Sequence, residues 1–188
     1  SAASDVYKRQ ELYPDISFEL FEYGSIRAAN MVQEGKLDLA LVNMHFYEID
    51  KLNSFTVMND KIVFCVSKSH PLAKCHEVTI EMIKNEHLIM YNTDSVQNET
   101  LDTAFKRAGV NPNVILHASQ LYTIRNFICN NLGGAFLYSS LQKNLSGTTG
   151  IPISPVINQN IGIVWKKGSY TTDSAEKFIT YIINKYSN

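Results

Sequence analysis

Residues 16–43 read ISFELFEYGSIRAANMVQEGKLDLALVN, and this stretch decides the fold class. Ile16, Phe18 and Leu20 alternate with Ser17 and Glu19, the period-two pattern of a pleated strand. Gly24 interrupts that run, and Ser25 is placed to cap a helix by accepting a hydrogen bond from a free backbone N–H. Ile26, Ala29 and Val32 recur on one helical face. Gly35 ends the helix because glycine enters left-handed geometry without a steric penalty. Residues 37–42 then predict a nearly continuous apolar strand, the mark of a sheet covered on both faces. A strand, a short helical crossover and a second strand make a right-handed βαβ unit. In such units ligands bind beyond the carboxyl ends of the strands, here beside Asn43, Met44 and His45.

Working outward, Tyr13-Pro14-Asp15 reads as a turn, and residues 1–10, SAASDVYKRQ, as a tag or a frayed helix. Residues 61–67 predict a strand, Ser69-His70-Pro71-Leu72 a turn, and Thr79 the cap of a short helix over 80–85. A strand at 88–91 leads through Asn92-Thr93-Asp94 to Ser95, which caps a helix carrying Leu101, Ala104, Phe105 and Ala108. That helix stops at Gly109, and Pro112 prevents its continuation. After a strand at Val114–His117, Ser119 caps a helix bearing Leu121, Ile124, Phe127, Ile128 and Leu132, closed by Gly133-Gly134. A strand at 135–138 follows, with Ser139 capping another helix and residues 146–150, SGTTG, forming a loop. A strand at 161–165 precedes a last amphipathic helix at 175–186 with Phe178, Ile179, Ile182 and Ile183. Repeated strand–helix order makes the class α/β with a mostly parallel sheet. The strands at 61–67 and 161–167 lie far apart in sequence and can serve as crossings between two lobes.

Composition narrows the function. The chain has 188 residues, enough for one domain or two lobes of about 80–100 residues each. Hydrophobic residues make up 45% and charged residues 19%, which supports a packed core. The net charge of −1 lacks the basic excess of a nucleic-acid-binding domain, so any DNA-reading part is expected outside this chain. Cys65, Cys75 and Cys129 are odd in number and irregular in spacing, which argues against a disulfide framework. Cys65 and Cys129 fall in apolar elements and are expected as buried thiols. Cys75-His76 has no second pair at zinc-ligand spacing, so no metal is expected. There is no nucleophile elbow, phosphate-binding glycine loop or HExxH helix, so no catalytic residue or cofactor is expected either. No run of about 18 apolar residues is present to span a membrane. No signal-peptide pattern opens the chain, and the cytoplasm is the expected location.

Several short pieces together resemble the effector-binding domain of LysR-type transcriptional regulators. They are Tyr13-Pro14-Asp15, Glu34-Gly35-Lys36-Leu37-Asp38-Leu39-Ala40 and His70-Pro71-Leu72-Ala73, then Ala108-Gly109-Val110, Leu132-Gly133-Gly134-Ala135 and Lys166-Lys167-Gly168. The EGxLDLAL run followed by HPLA is the most specific combination, and the resemblance covers residues 11–186. It implies two α/β lobes joined by two crossing strands, like a type 2 periplasmic binding protein. Lobe I would comprise residues 11–65 plus 164–188, and lobe II residues 66–163. It further implies a small effector between the lobes, a homodimer or tetramer, and contact with DNA only through a winged helix-turn-helix ahead of this domain. The family's domain begins with a strand and a helix before the Tyr-Pro motif. SAASDVYKRQ stands there instead, so the first strand of lobe I is expected to be missing. Some peroxide-sensing members carry a cysteine where this chain has Ser95, so thiol sensing is not expected.

Ser95, Ser119 and Ser139 each open a helix directly after a strand. Helix starts offer unpaired N–H groups and partial positive charge. If the strands are parallel, these starts gather at one edge and fit a carboxylate or another anion. Each serine is equally readable as a plain cap. The expected ligand-binding residues are Asn43 and His45 in lobe I, with Thr93, Asp94, Ser95, Ser119, Gln120 and Tyr138 in lobe II. His45 reads either as a pH-sensitive contact or as an ordinary loop residue. The expected effector is a small organic acid or amino-acid-like molecule, with no membrane partner. A rival reading is the solute-binding protein of a transport system, which shares the two-lobe plan but acts as a monomer. A small α/β enzyme is the third. A basic helix-turn-helix upstream distinguishes the regulator from both.

Overall fold

Two strands carry the chain from one compact unit to another. The computed structural model describes residues 19–45, 51–92, 95–168 and 172–187. The elements are α1 (Ser25–Gln33), β1 (Leu39–Asn43), β2 (Leu52–Ser67), β3 (Val78–Thr79), β4 (Leu88–Met90) and α2 (Val96–Ala108). They continue as β5 (Val114–His117), α3 (Leu121–Cys129), β6 (Gly134–Tyr138), α4 (Ser139–Gln142), β7 (Thr148–Ser154), β8 (Asn158–Lys166) and α5 (Asp173–Tyr186). One unit is Ser1–Met58 with Asn160–Asn188, and the other is Asn59–Gln159. The units part within β2 and β8, at Met58/Asn59 and Gln159/Asn160. Among the described residues no helix is long and apolar enough to cross a membrane.

In the first unit, α1 packs Ala28, Ala29 and Val32 against Ala40, Val42, Leu52 and Val164. Its N-cap is Gly24 rather than Ser25, because Ser25 is already helical and its Oγ accepts the Asn43 N–H at 3.0 Å. Gly35, at φ +75°, closes the helix, with Lys36 N–H reaching Met31 O at 2.8 Å and Gly35 N–H reaching Val32 O at 3.0 Å. β1 pairs antiparallel with β8, from Leu39 opposite Trp165 to Asn43 opposite Ile161. Leu41 is 43% exposed, so β1 is not covered along its whole length. Thr172 caps α5 by accepting the Ala175 N–H at 3.3 Å, and Phe178, Ile179 and Ile182 bury the helix against Ile163, Phe55 and Val57. Of the expected strand at 16–20, residues 16–18 lie outside the described residues, and Glu19 and Leu20 are not in a strand. Residues 1–10 and Tyr13-Pro14-Asp15 also lie outside them.

In the second unit, β2 pairs antiparallel with β6 and β7, while β4 lies between β6 and β5 and runs parallel to both. The sheet is therefore mixed rather than mostly parallel. Helices return β4, β5 and β6 in one direction, whereas the crossing strand meets them reversed. The core centres on Phe64, Phe105 and Phe136, with Phe136 tilted against Phe64 at 5.3 Å and edge-on to Phe105 at 5.9 Å. Gly134 exists for that packing: a Cβ there would meet Phe64 Cζ at 2.3 Å. The turn after α3 is made by Asn131, at φ +54°, so Gly133-Gly134 is a close-approach pair and not the helix terminator expected. Residues 148–150, expected as loop, belong to β7, where Gly150 leaves room for the Gln142 side chain. Cys65 is fully buried as expected, but Cys129 is only half-buried, because α3 ends there and its Sγ lies over the Ser146 carbonyl.

Candidate functional site

The carboxyl ends of β4, β5 and β6 share one edge of the second unit, since the three strands are mutually parallel. Met90 ends the first, with Tyr91 directly after it, His117 the second and Tyr138 the third. Ala118 N–H donates to Met90 O at 2.9 Å and carries the β4–β5 pairing one residue past β5. His117 Nδ1 donates to Tyr91 O at 3.1 Å in the tautomer that this contact requires. The Tyr91 phenol is pushed up to about 12, first by burial and then by the neighbouring Tyr138. It therefore stays a neutral O–H donor across the physiological range.

Two helices begin at this edge in different ways. Ser95 is extended, at φ −95° and ψ 140°, and its Oγ accepts the Asn98 N–H at 3.1 Å. Two further first-turn side chains of α2 are buried: Gln97 donates to Phe136 O at 2.8 Å, and Asn98 Nδ2 reaches Asp102 Oδ2 at 3.4 Å. At α3 the cap position falls on Gln120, whose side chain makes no capping bond. Ser119 and Gln120 are both exposed. Ser119 is thus not the cap expected of it, because the pairing of Ala118 sets the helix start one residue later. Ser139 is not a cap either: α4 follows β6 without a break, and Tyr138 holds the cap position with no side-chain capping bond.

Ser95, Ser119, Gln120 and Tyr138 are therefore brought to one edge, and Thr93 and Asp94 lie outside the described residues. In the first unit, Asn43 ends β1 and is 5% exposed, and its Oδ1 accepts the His45 N–H at 3.0 Å, so the two sit in one turn. His45 is exposed. Tyr91 and His117 are site-edge residues that the sequence reading missed. The available signal was their position directly at the ends of apolar runs. Among the described residues no group of three or more His, Cys, Asp or Glu side chains is placed to hold a metal ion.

Comparison with known proteins agrees with this architecture. The model of the LysR substrate binding domain matches residues 8–187. An uncharacterized HTH-type transcriptional regulator of Bacillus subtilis (strain 168), YwbI, is 30% identical over 175 residues, spanning 92% of this chain and 58% of that protein. The chain spans between about two fifths and three fifths of the length of the curated relatives it matches. The CcmR regulatory domain of Synechocystis PCC6803, solved in complex with 2-PG, superposes with a TM-score of 0.90 at 20% identity, covering 100% of this chain and 91% of that one. The effector binding domain of QuiR, solved in complex with shikimate, superposes with a TM-score of 0.85 at 16% identity, covering 100% and 90%. These two likenesses concern the fold, which is that of the two-lobed α/β effector domains. The family model and the YwbI match together establish that this chain belongs to the LysR substrate binding domain family.

Proposed function

We propose that this chain senses a small organic acid or amino-acid-like effector on behalf of a longer DNA-binding transcription regulator. The observation that carries this reading is the start of α3, where no side chain caps the helix and Ser119 and Gln120 stand exposed on the same strand-end edge as Tyr138 and the neutral phenol of Tyr91. Helix N–H groups, hydroxyls and phenols are donors, and a carboxylate accepts from all of them. Ser95 and Tyr138 complete this wall. Thr93 and Asp94 in the same unit are its further proposed contacts, and Asn43 and His45 are proposed separately as the contacts that the first unit offers. The effector acts by favouring one arrangement of the chain over another, since only differential affinity shifts an equilibrium.

The relatives' description as HTH-type regulators supports placing a DNA-reading element in the part of the protein beyond this chain. That the intact regulator works in the cytoplasm as a homodimer or tetramer is part of the same proposal. No catalytic step and no cofactor enter this reading. Titrating the ¹⁵N-labelled chain with 2-PG, shikimate and a set of small carboxylates tests it. A bound acid is expected to shift the amides of residues 119–121 and 138–140. Shifts confined to the outer face of α5, or none with any acid, would overturn the assignment of this edge.

A further inference from the structure

The third helix start on the effector edge is α4, and it is held from outside its own segment. Its cap position, Tyr138, offers no side-chain acceptor to the helix. The acceptor comes from the crossing strand. Asp60 Oδ2 takes the Ser140 Oγ–H at 2.5 Å and the Ser140 N–H at 3.3 Å, from 80 residues away in sequence. The register explains why it can. Ile62 lies opposite Tyr138 in the antiparallel β2–β6 pair, so two steps further along each strand bring Asp60 opposite Ser140. Where the backbone ladder ends because β6 turns into α4, a carboxylate continues it. The other oxygen of Asp60 accepts the Lys61 N–H at 2.7 Å, which fixes the plane of the group. Both Asp60 and Ser140 are half-buried, and the bonds are charge-assisted. Asp60 is the second residue of its unit after the division at Met58/Asn59.

We infer that Asp60 is a positioning residue of the effector edge: by gripping Ser140 it fixes the turn from β6 into α4 that directly follows Tyr138, where the ladder to the crossing strand ends. This rests on reading the Tyr138 edge as the effector site. One carboxylate then links the last residues of β6 to the part of β2 nearest the unit boundary, so a change in β2 at that point is transmitted to Tyr138.

The test needs no effector, so its failure is separable from failure of the binding assignment. In the 188-residue chain, Asp60→Ala and Ser140→Ala are compared by amide hydrogen exchange and by the ring resonances of Tyr138. Exchange at residues 140–143 is expected to quicken about tenfold or more, the factor that goes with losing a charge-assisted bond. The Tyr138 ring signals should move, while amides of β4 and β5 keep their protection. The double variant should exceed neither single variant, and Asp60→Asn, which keeps an acceptor oxygen, should retain part of the protection that Asp60→Ala loses. Unmoved Tyr138 signals would overturn the inference. So would a uniform loss of protection across the unit, which would make Asp60 a general stabiliser. If Asp60→Ala does not fold, Ser140→Ala and Asp60→Asn distinguish the same two results.

Discussion

Ser95 and Ser119 stand in matching places: each follows a strand of one parallel set and each precedes an amphipathic helix. Only Ser95 gives its hydroxyl to the helix, accepting the Asn98 N–H at 3.1 Å. At α3 the cap position has slid to Gln120, because Ala118 still belongs to the β4–β5 pairing. The start of α2 is closed by the Ser95 hydroxyl, with Gln97 and Asn98 buried behind it. The start of α3 has no such side chain and faces outward. A helix start closed by its own cap serves the fold, whereas one left uncapped at the carboxyl edge of a parallel sheet can serve a ligand.

The contrast can be broken at several depths. The largest effect is expected from removing the seat of α2. Phe105→Ala empties the edge-on contact with Phe136 and should cost about 3–5 kcal/mol in denaturant unfolding. A loss under about 1 kcal/mol would mean that α2 is not anchored by this cluster.

The next effect lies beneath α3, where Cys65 packs with Ile124 and Ile128. Burial first, then the neighbouring Cys129, pushes its thiol from 9.0 up to about 11, against a lowering by its bond to Thr148. The unfolded chain loses this proton first, so stability is full below about pH 9 and falls as pH rises toward 11. Tyr91 extends the fall, since its phenol moves from 10.0 to about 12. Cys65→Ala should flatten the lower part of the stability–pH curve and leave the upper part. Alkylation should reach half-buried Cys129 well before Cys65, and equal rates would show that α3 does not cover the thiol.

The smallest effect is the most pointed. Ser95→Ala should cost about 1 kcal/mol, whereas Ser119→Ala should cost less than about 0.5 kcal/mol. Equal losses would erase the distinction between the two helix starts.

What could be read in advance follows from how local the causes are. α2 was legible end to end, because its cap at Ser95, its Leu101–Phe105 stripe and its stop at Gly109 lie within the helix or beside it. β5 was equally plain as a short apolar run. β7 was hidden, since Gly147 and two threonines look like a turn and only the Gln142 side chain against Gly150 explains the glycine there. Sheet direction was misjudged because the crossing strand enters from a distant part of the chain. The same distance hid the hold of Asp60 on Ser140. Of the site, the strand ends and helix starts were visible as punctuation. Which serine caps was not, because strand pairing around Ala118 decides it.

The most direct test is the thermal midpoint of the 188-residue chain against rising concentrations of small organic acids, 2-PG and shikimate among them. An effector at about 100 times its Kd stabilises a folded domain by about 2.7 kcal/mol, a rise of about 5–10 °C for a chain of this size. A binding domain predicts that at least one acid raises the midpoint progressively with its concentration. A midpoint that stays flat into the millimolar range for every acid and amino acid tried would contradict it.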